Sequence, residues 1–301
     1  MAGQLKEVRN RIKSVQSTQQ ITKAMKMVSA AKLRRAQDAI VQMRPYAHKL
    51  QDLLSNIVSN SEGGDSGMPL AIERPVEKVL FIVITSDRGL AGAFNANTIK
   101  LTKQTIAEKY PGQYKKGNVT IWNIGKKGYE HFVKGNYKAD ATFKDIFLKL
   151  NFANVQEASK AARKAFEERQ FDVVELVYSQ FKNAATQKFE VERFLPIPKV
   201  ENLPAGRQER QRSFKADFIY DPSKELLIAE LMPKILNTQL YKAILDSNAS
   251  EHGARMTAMD KASENANEML RTLKISYNRA RQAAITTELT EIVSGAAALQ
   301  G

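Results

Sequence analysis

The C-terminal part of the chain most constrains its fold, because no glycine or proline interrupts it from Ala254 to Ser294. Glycine and proline are the residues that most often end a helix, so this stretch predicts one long helix between about Lys224 and Ala298. Small and apolar residues recur in it at alternating spacings of four and three, which is typical of the seam of a coiled coil. These residues are Ala266, Leu270, Leu273, Tyr277, Ala280 and Ala284.

The predicted length of this helix limits where it can lie. At 1.5 Å per residue it would be about 110 Å long. A compact chain of this size has a radius of gyration of about 19 Å. We therefore expect the helix to extend beyond the globular part of the chain as a shaft, with a partner helix along part of its length.

The N-terminal stretch from Gln4 to Arg44 also lacks glycine and proline and predicts that partner. Its apolar spacing is expected to slip at Gln19 and Thr22, and Pro45 permits a kink. Antiparallel pairing of the two terminal helices would cover both seams. The N-terminal seam starts with Leu5, Val8, Ile12 and Val15, and is expected to resume through Ile21, Met25, Val28, Ala31 and Ala36.

Strands alternate with helices in the middle of the chain, which predicts a layered α/β domain. The apolar run from Val79 to Thr85 indicates a strand buried on both faces of a parallel sheet. The predicted fold class is α/β, with a long antiparallel coiled coil of the N- and C-terminal helices and a central Rossmann-like domain with a mostly parallel sheet. The other predicted elements are a helix to about Tyr110, a strand Val119 to Ile124, a helix after Gly125, a helix Val155 to Arg169, and antiparallel strands Val173 to Phe181 and Phe189 to Leu195.

This pattern divides the chain into four parts: an N-terminal shaft helix (1–60), the α/β domain (75–198), a linker and foot segment (199–222) and a C-terminal shaft helix (223–301). Prolines and an Arg/Gln-rich run indicate the linker. Within it, Phe214 to Asp221 is predicted to be a short extended piece.

The net charge of +14 is concentrated at the N-terminus, where eleven Lys and Arg residues in positions 1–50 face only Glu7 and Asp38. Such a stretch favours an acidic partner. Cysteine is absent and the three histidines are isolated, so we predict no metal site and no disulfide. The sequence contains no run of eighteen or more apolar residues, so we predict no membrane span.

The segment TSDRGLAGAFN (85–95) lies where α/β enzymes bind phosphates, after a strand and before a helix. It has two glycines, Gly89 and Gly92, instead of the three of a dinucleotide fingerprint, and no P-loop lysine follows. We interpret it as a tight turn and predict neither a cofactor nor a catalytic site. A phosphate-binding α/β enzyme remains an alternative that needs this turn to bind a nucleotide.

The end of the C-terminal helix predicts a protein contact. Beyond Ala284 the seam is expected to break, and a broad apolar surface follows that includes Leu289, Ile292 and Val293. An exposed apolar helix end is typical of a segment that inserts into a socket on another protein.

Three stretches resemble the gamma-subunit family of F-type rotary ATP synthases: positions 8–37 (VRNRIKSVQSTQQITKAMKMVSAAKLRRAQ), 85–95, and 277–299 (YNRARQAAITTELTEIVSGAAAL). The resemblance implies a rotor without a catalytic site. In that family the terminal helices form the shaft inside a ring of alpha and beta subunits, and the globular domain joins the membrane c-ring. Rotation makes the catalytic sites on beta change state in turn.

The resemblance also implies contact residues. Arg281, Gln282 and Thr286 match positions that contact a catch loop on beta, and Met25 matches a shaft position close to beta. An acidic loop on beta would face Lys23 and Lys26. Phe218, Tyr220 and Asp221 match the foot that meets the c-ring and the epsilon subunit.

The matching region begins near Met1, which leaves no room for a transit peptide and favours a bacterial protein. We expect a peripheral location on the cytoplasmic face of the inner membrane, without insertion into the bilayer. The alternative is a basic coiled-coil protein that binds nucleic acid. It is disfavoured because Tyr46 is the only aromatic residue among the first fifty, and such proteins use aromatic stacking.

Overall fold

The structure is a computed structural model and describes residues 2–59, 70, 72–184, 186–197 and 224–300. The predicted linker and the extended piece Phe214 to Asp221 lie outside these residues. The helices are α1 (Ala2–Ser59), α2 (Phe94–Lys109), α3 (Pro111–Lys115), α4 (Lys126–Lys134), α5 (Phe152–Glu167) and α6 (Lys224–Gln300). The strands are β1 (Val79–Ile84), β2 (Val119–Ile124), β3 (Lys138–Asp140), β4 (Val173–Phe181) and β5 (Gln187–Leu195).

Contacts divide the chain into two compact units. The helical unit contains residues 1–30 and 255–301, and the globular unit contains residues 31–254. Both long terminal helices therefore contribute to both units. Pro233 lies inside α6 without ending it.

The globular unit has a five-stranded sheet with the order β3-β2-β1-β4-β5. β1 pairs in parallel with β2 and β4, β2 pairs in parallel with β3, and β5 is antiparallel to β4. The prediction of a mostly parallel sheet with a final antiparallel pair is confirmed. The short helix α3, the short strand β3 and the 3-10 helix Ile146–Lys149 were not predicted.

Two helical layers explain why β1 is buried along its whole length. On one face of the sheet, Val155 and Phe166 of α5 and Leu240 of α6 share a core with β1 and β4. On the other face, Ile106 of α2 and Phe132 of α4 pack with the alternate residues of β1. Burial on both sides accounts for the uninterrupted apolar sequence of this strand.

The end of β4 extends past β1, whose pairing with it stops at Val83 and Val177. Beyond that point the backbone N–H of Ser179 donates to Ser247 Oγ of α6 at 3.0 Å. The hydroxyl of Ser250 donates to the carbonyl of Ser179 at 3.2 Å. Side chains of a helix thus replace the missing strand partner.

Two glycines allow close backbone approaches. A Cβ on Gly125, which has a φ of 101°, would lie 2.1 Å from the carbonyl oxygen of Thr85, so only glycine fits between β2 and α4. A Cβ on Gly253 would lie 3.2 Å from the carbonyl oxygen of Ala184, which explains a glycine inside α6.

Candidate functional site on the paired helices

The helical unit is built on one continuous heptad seam in each helix. In α6 the six predicted seam residues are all less exposed than their neighbours, so that prediction is confirmed. The seam also continues one step beyond its predicted break at Ala284, to Thr287, which is half-buried.

In α1 the predicted seam is confirmed from Leu5 to Val15, which are half-buried, but its predicted course beyond them was wrong in part. Ile21, Val28 and Ala31 are exposed, whereas Thr22 and Ser29 are buried. The spacing of three and four does not slip at Gln19 and Thr22 but continues through them. The seam of α1 in this unit is Leu5, Val8, Ile12, Val15, Gln19, Thr22, Lys26 and Ser29.

Polar side chains join the two helices across this part of the seam. Thr22 Oγ1 lies 2.7 Å from Ser263 Oγ, and Lys26 Nζ lies 2.5 Å from Asp260 Oδ1. The other two contacts run from the Gln19 side-chain amide to Asn267 and from the Arg9 guanidinium to the Tyr277 hydroxyl. In each pair the residue numbers add up to about the same value, so all four contacts belong to one antiparallel register.

Apolar side chains lie on the outside of the same helices. Ile21, Met27 and Val28 are 56%, 67% and 56% exposed. Near the end of α6, Ile292 and Val293 are both 67% exposed. Around Thr22 and Ser29, polar residues therefore lie inside and apolar residues lie outside, which reverses the usual pattern and indicates a surface that another molecule covers.

The predicted beta-contact residues fall into two groups along the helical unit. Arg281, Gln282 and Thr286 are exposed within two turns of α6, and the Thr286 hydroxyl donates to the Gln282 carbonyl at 3.0 Å. Met25 is half-buried beside the ion pair of Asp260. Arg281 follows Asp260 by about 30 Å of helix. The structure therefore keeps these two groups apart.

The two lysines predicted to face an acidic loop differ in their surroundings. Lys23 is exposed. Lys26 is half-buried and already paired with Asp260. This internal partner could not be predicted, because the sequence does not reveal the register of the two helices. Phe218, Tyr220 and Asp221 lie outside the described residues.

The turn after β1 is closed by its own side chains. Asn95 Oδ1 accepts the backbone N–H of Ser86 at 2.9 Å, and the Ser86 hydroxyl donates to the carbonyl of Arg88 at 2.6 Å. Positive φ angles occur at Leu90 and Gly92. These features support the interpretation as a tight turn.

A cleft of about 480 Å³ opens beside this turn in the globular unit. Cations and carboxylates both line it, among them Lys32, Arg35, Asp87 and Glu251. Burial raises the pKa of Asp87, although the backbone N–H and the charge of Lys126 oppose this. A lining of mixed sign differs from the cradle of backbone N–H groups that binds a phosphate.

Among the described residues, no cluster of histidine and carboxylate side chains has the arrangement of a metal site. Within the same ranges, no helix combines the length and hydrophobicity that a bilayer crossing requires.

Comparison with known proteins assigns the chain to a family. The family model described as ATP synthase matches residues 4–299. The chain is 53% identical to the ATP synthase gamma chain of Cytophaga hutchinsonii over 295 residues, which cover 98% of each protein. It is 50% identical to the gamma chain of Flavobacterium johnsoniae over 99% of each.

The chain belongs to the ATP synthase gamma family. Gamma chains are the non-catalytic rotor of the central stalk, so the predicted family and role are confirmed. Family membership favours the rotor role over the two alternatives, a phosphate-binding enzyme and a nucleic-acid-binding protein.

Solved structures show that the gamma fold is shared over most of the chain. A chain of the Euglena gracilis mitochondrial ATP synthase matches with a TM-score of 0.64 and 20% identity, over 99% of this chain and 95% of that one. A chain of the Tetrahymena thermophila central stalk and c-ring matches with a TM-score of 0.56 and 22% identity, over 81% of this chain and 99% of that one. The predicted fold class is confirmed.

Proposed function

We propose that the helical unit turns inside a ring of alpha and beta subunits and that its outer surface makes the contacts that drive the catalytic sites. The observation that carries this proposal is the reversed pattern of the paired helices, with Thr22 and Ser263 inside and Ile21, Met27 and Val28 outside. A rotor must break each contact with its surroundings as it turns, so its stable contacts belong on the inside.

Arg281, Gln282 and Thr286 are proposed to contact a loop of beta from the C-terminal part of α6. All three are exposed, and they occupy consecutive turns of α6, so one loop can reach them together. Met25 is proposed to lie near beta about 30 Å away along the same unit. Because both groups of contacts lie on the same pair of helices, one rotation would move both groups together.

Lys23 and Lys26 are proposed to face the acidic loop of beta with unequal strength. Lys23 is exposed and can attract the loop fully. Part of the attraction of Lys26 is offset by Asp260, which lies 2.5 Å from its ammonium group. We therefore assign the larger part of the steering to Lys23.

The remaining partners are proposed from family membership. Phe218, Tyr220 and Asp221 would meet the c-ring and the epsilon subunit. Ion flow through the c-ring would then turn the subunit and cycle the beta sites. The proposed functional division of the chain is 1–60, 75–198, 199–222 and 223–301. The proposed location is the cytoplasmic face of a bacterial inner membrane, where the protein is peripheral; the relatives at 53% and 50% identity are bacterial.

A charge-exchange experiment tests the acidic contact. Lys23→Glu is expected to lower proton-driven ATP synthesis in membrane vesicles several-fold. Lys26→Glu with Asp260→Lys keeps the internal ion pair but moves its cation to α6, and it is expected to cause a smaller loss. Lys13→Glu, another exposed position on α1, is the matched control. Equal synthesis by the Lys23→Glu and control proteins would contradict the contact.

Assembly is tested separately by co-purification. A tagged beta subunit is expected to retain this chain together with alpha and epsilon. Retention of alpha without this chain would contradict the proposed ring.

A further inference from the structure

A strongly basic face lies on one side of the globular unit. Positions 96–150 contain eleven lysines and four carboxylates. They include α3, α4 and most of α2, and α2 and α4 pack on the face of the sheet opposite α5. The basic face is defined here by Lys100, Lys103, Lys115 and Lys134.

Direct contacts hold the centre of this face together. Lys103 Nζ of α2 lies 5.7 Å from the ring centre of Tyr137, whose ring is 5.3 Å from that of Tyr114 in α3. Burial lowers the pKa of His131 in α4, and the charge of Lys103 lowers it further, so these two side chains are also close. Residues from three helices and the start of β3 thus form one patch.

The other three defining lysines lie on the same helices as the residues of this centre. Lys100 precedes Lys103 by three residues on α2, and Lys134 follows His131 by three on α4, so each pair shares a helix face. Lys115 follows Tyr114 directly. Lys100, Lys115 and Lys134 are exposed, and Lys103 is half-exposed.

Four carboxylates, including Glu108, leave most of the charge of the eleven lysines in this segment unneutralised. Glu130 pairs with Lys127 at 2.6 Å, and the charge of Lys134 also helps to lower its pKa. Asp145 pairs with Lys126 at 3.2 Å. Asp140 accepts the backbone N–H of Thr142 at 2.6 Å. Across the described part of the chain, none of the four lysines that define the basic face forms an ion pair.

The type of cation indicates the kind of partner. Positions 96–150 contain no arginine, although Arg88 and Arg163 lie on either side. Arginine provides the planar fork that fixes phosphates and carboxylates in one geometry, whereas lysine acts as a point charge. The two tyrosine rings contact each other, so they do not form open platforms on which bases would stack.

We propose that the basic face is attracted to the anionic headgroups of a phospholipid bilayer, without insertion. A diffuse attraction to a fluid surface has no fixed partners to break, which suits a subunit that rotates. The proposal goes beyond the contacts with beta and does not depend on them.

Vesicle binding by the full chain tests this proposal. The chain is expected to sediment with vesicles of phosphatidylcholine and phosphatidylglycerol, but not with phosphatidylcholine alone, and added salt should weaken the binding. A variant with Lys100→Gln, Lys103→Gln, Lys115→Gln and Lys134→Gln should bind at least about tenfold more weakly. The same four positions changed to arginine should keep the binding, because the charge is kept.

The basic α1 helix requires a matched control. Lys6→Gln, Lys13→Gln, Lys23→Gln and Lys32→Gln remove the same charge from α1 and are expected to lower vesicle binding about twofold. An equal loss in the two glutamine variants would overturn the proposal, as would binding to neutral vesicles. It would also be overturned if the variant of the basic face lost affinity for a labelled oligonucleotide but not for vesicles.

A second measurement uses the unchanged protein and does not depend on how the variants fold. Anionic vesicles are expected to slow acetylation of Lys100, Lys103, Lys115 and Lys134 more than that of Lys6 and Lys13. Slower acetylation confined to α1 would overturn the proposal. A contrary result in the vesicle-binding or the acetylation experiment would leave the proposed contacts with beta unaffected, since neither experiment contains a beta subunit.

Discussion

Thr22 Oγ1 of α1 lies 2.7 Å from Ser263 Oγ of α6, and both side chains are buried in the seam of the helical unit. The Thr22 hydroxyl also lies 3.0 Å from the carbonyl of Gln19, and the Ser263 hydroxyl 2.8 Å from that of Met259. Two hydroxyl protons thus serve three possible hydrogen bonds, and either residue can donate across the helices.

We expect Thr22→Val to lower the free energy of unfolding by about 1 kcal/mol, because it removes the shared hydrogen bond while keeping the side-chain volume. Thr22→Val combined with Ser263→Ala should lose less than the sum of the two single variants, because both single changes remove the same hydrogen bond. Urea unfolding followed by circular dichroism measures both. Thr18→Val, at an exposed position of α1, is the control; an equal effect there would contradict the prediction.

Gly125 and Gly89 form a second matched pair. Gly125→Ala should cost about 3 kcal/mol or more, because its Cβ would lie 2.1 Å from the carbonyl oxygen of Thr85 and its φ is 101°. Gly89→Ala should change stability by less than about 0.5 kcal/mol, because no atom lies within 4 Å of the added Cβ. The measurement is the urea midpoint of each variant. Similar midpoints would contradict the close approach of Gly125, at the start of α4, to the carbonyl oxygen of Thr85.

Asp246 of α6 predicts a specific dependence on pH. It is 4% exposed, and burial raises its pKa from 3.8 to about 6. The cations of Lys242 and Arg44 oppose this rise, and the carboxylates of Glu190 and Glu192 add to it. The folded protein therefore holds this proton more tightly than the unfolded chain does. The stabilisation from protonated Asp246 is complete below about pH 4 and is lost as the pH rises through about 6.

Asp246→Asn should remove this dependence. The variant is expected to be more stable than the parent by up to about 3 kcal/mol at about pH 8, and nearly equal to it at about pH 4. Urea unfolding of both proteins across this pH range measures the difference in their free energies of unfolding. The titration of the other carboxylates is the same in both proteins and cancels in this difference. A constant difference at all pH values would contradict the prediction.

The exposed end of α6 should matter for assembly rather than for folding. Ile292→Ser with Val293→Ser is expected to change the stability of the isolated chain by less than about 0.5 kcal/mol, because both side chains are 67% exposed. Binding to alpha and beta subunits should fall at least about tenfold if a socket buries both side chains. Glu291→Gln is the neighbouring control. A large loss of thermal stability without weaker assembly would contradict the proposed role.

The strongest sequence patterns predicted the fold well. The apolar run of β1 and the alternation of strands and helices both arise from burial. The positions of apolar residues in the sequence reflect burial directly. By contrast, β3 is three residues long and half-exposed, too short to leave a pattern. Its place at the sheet edge depends on pairing with β2, which is a tertiary contact.

The seam of α1 could be predicted only in part, because several of its residues are polar. Gln19, Thr22 and Lys26 keep the heptad spacing, but each is polar and is buried or half-buried through a partner on α6. Spacing alone would have found them. Predicting the partner of each residue requires the register between the two helices. The residue pattern of neither helix reveals that register.

The two serines of α6 that bond to Ser179 have a further consequence. The overhanging part of β4 would otherwise present free amide and carbonyl groups, the template on which strands from other molecules add. Because Ser247 and Ser250 bond to the N–H and the carbonyl of Ser179, a foreign strand cannot pair with β4 at that residue. The long helix therefore closes to foreign strands the one stretch of β4 that β1 leaves uncovered.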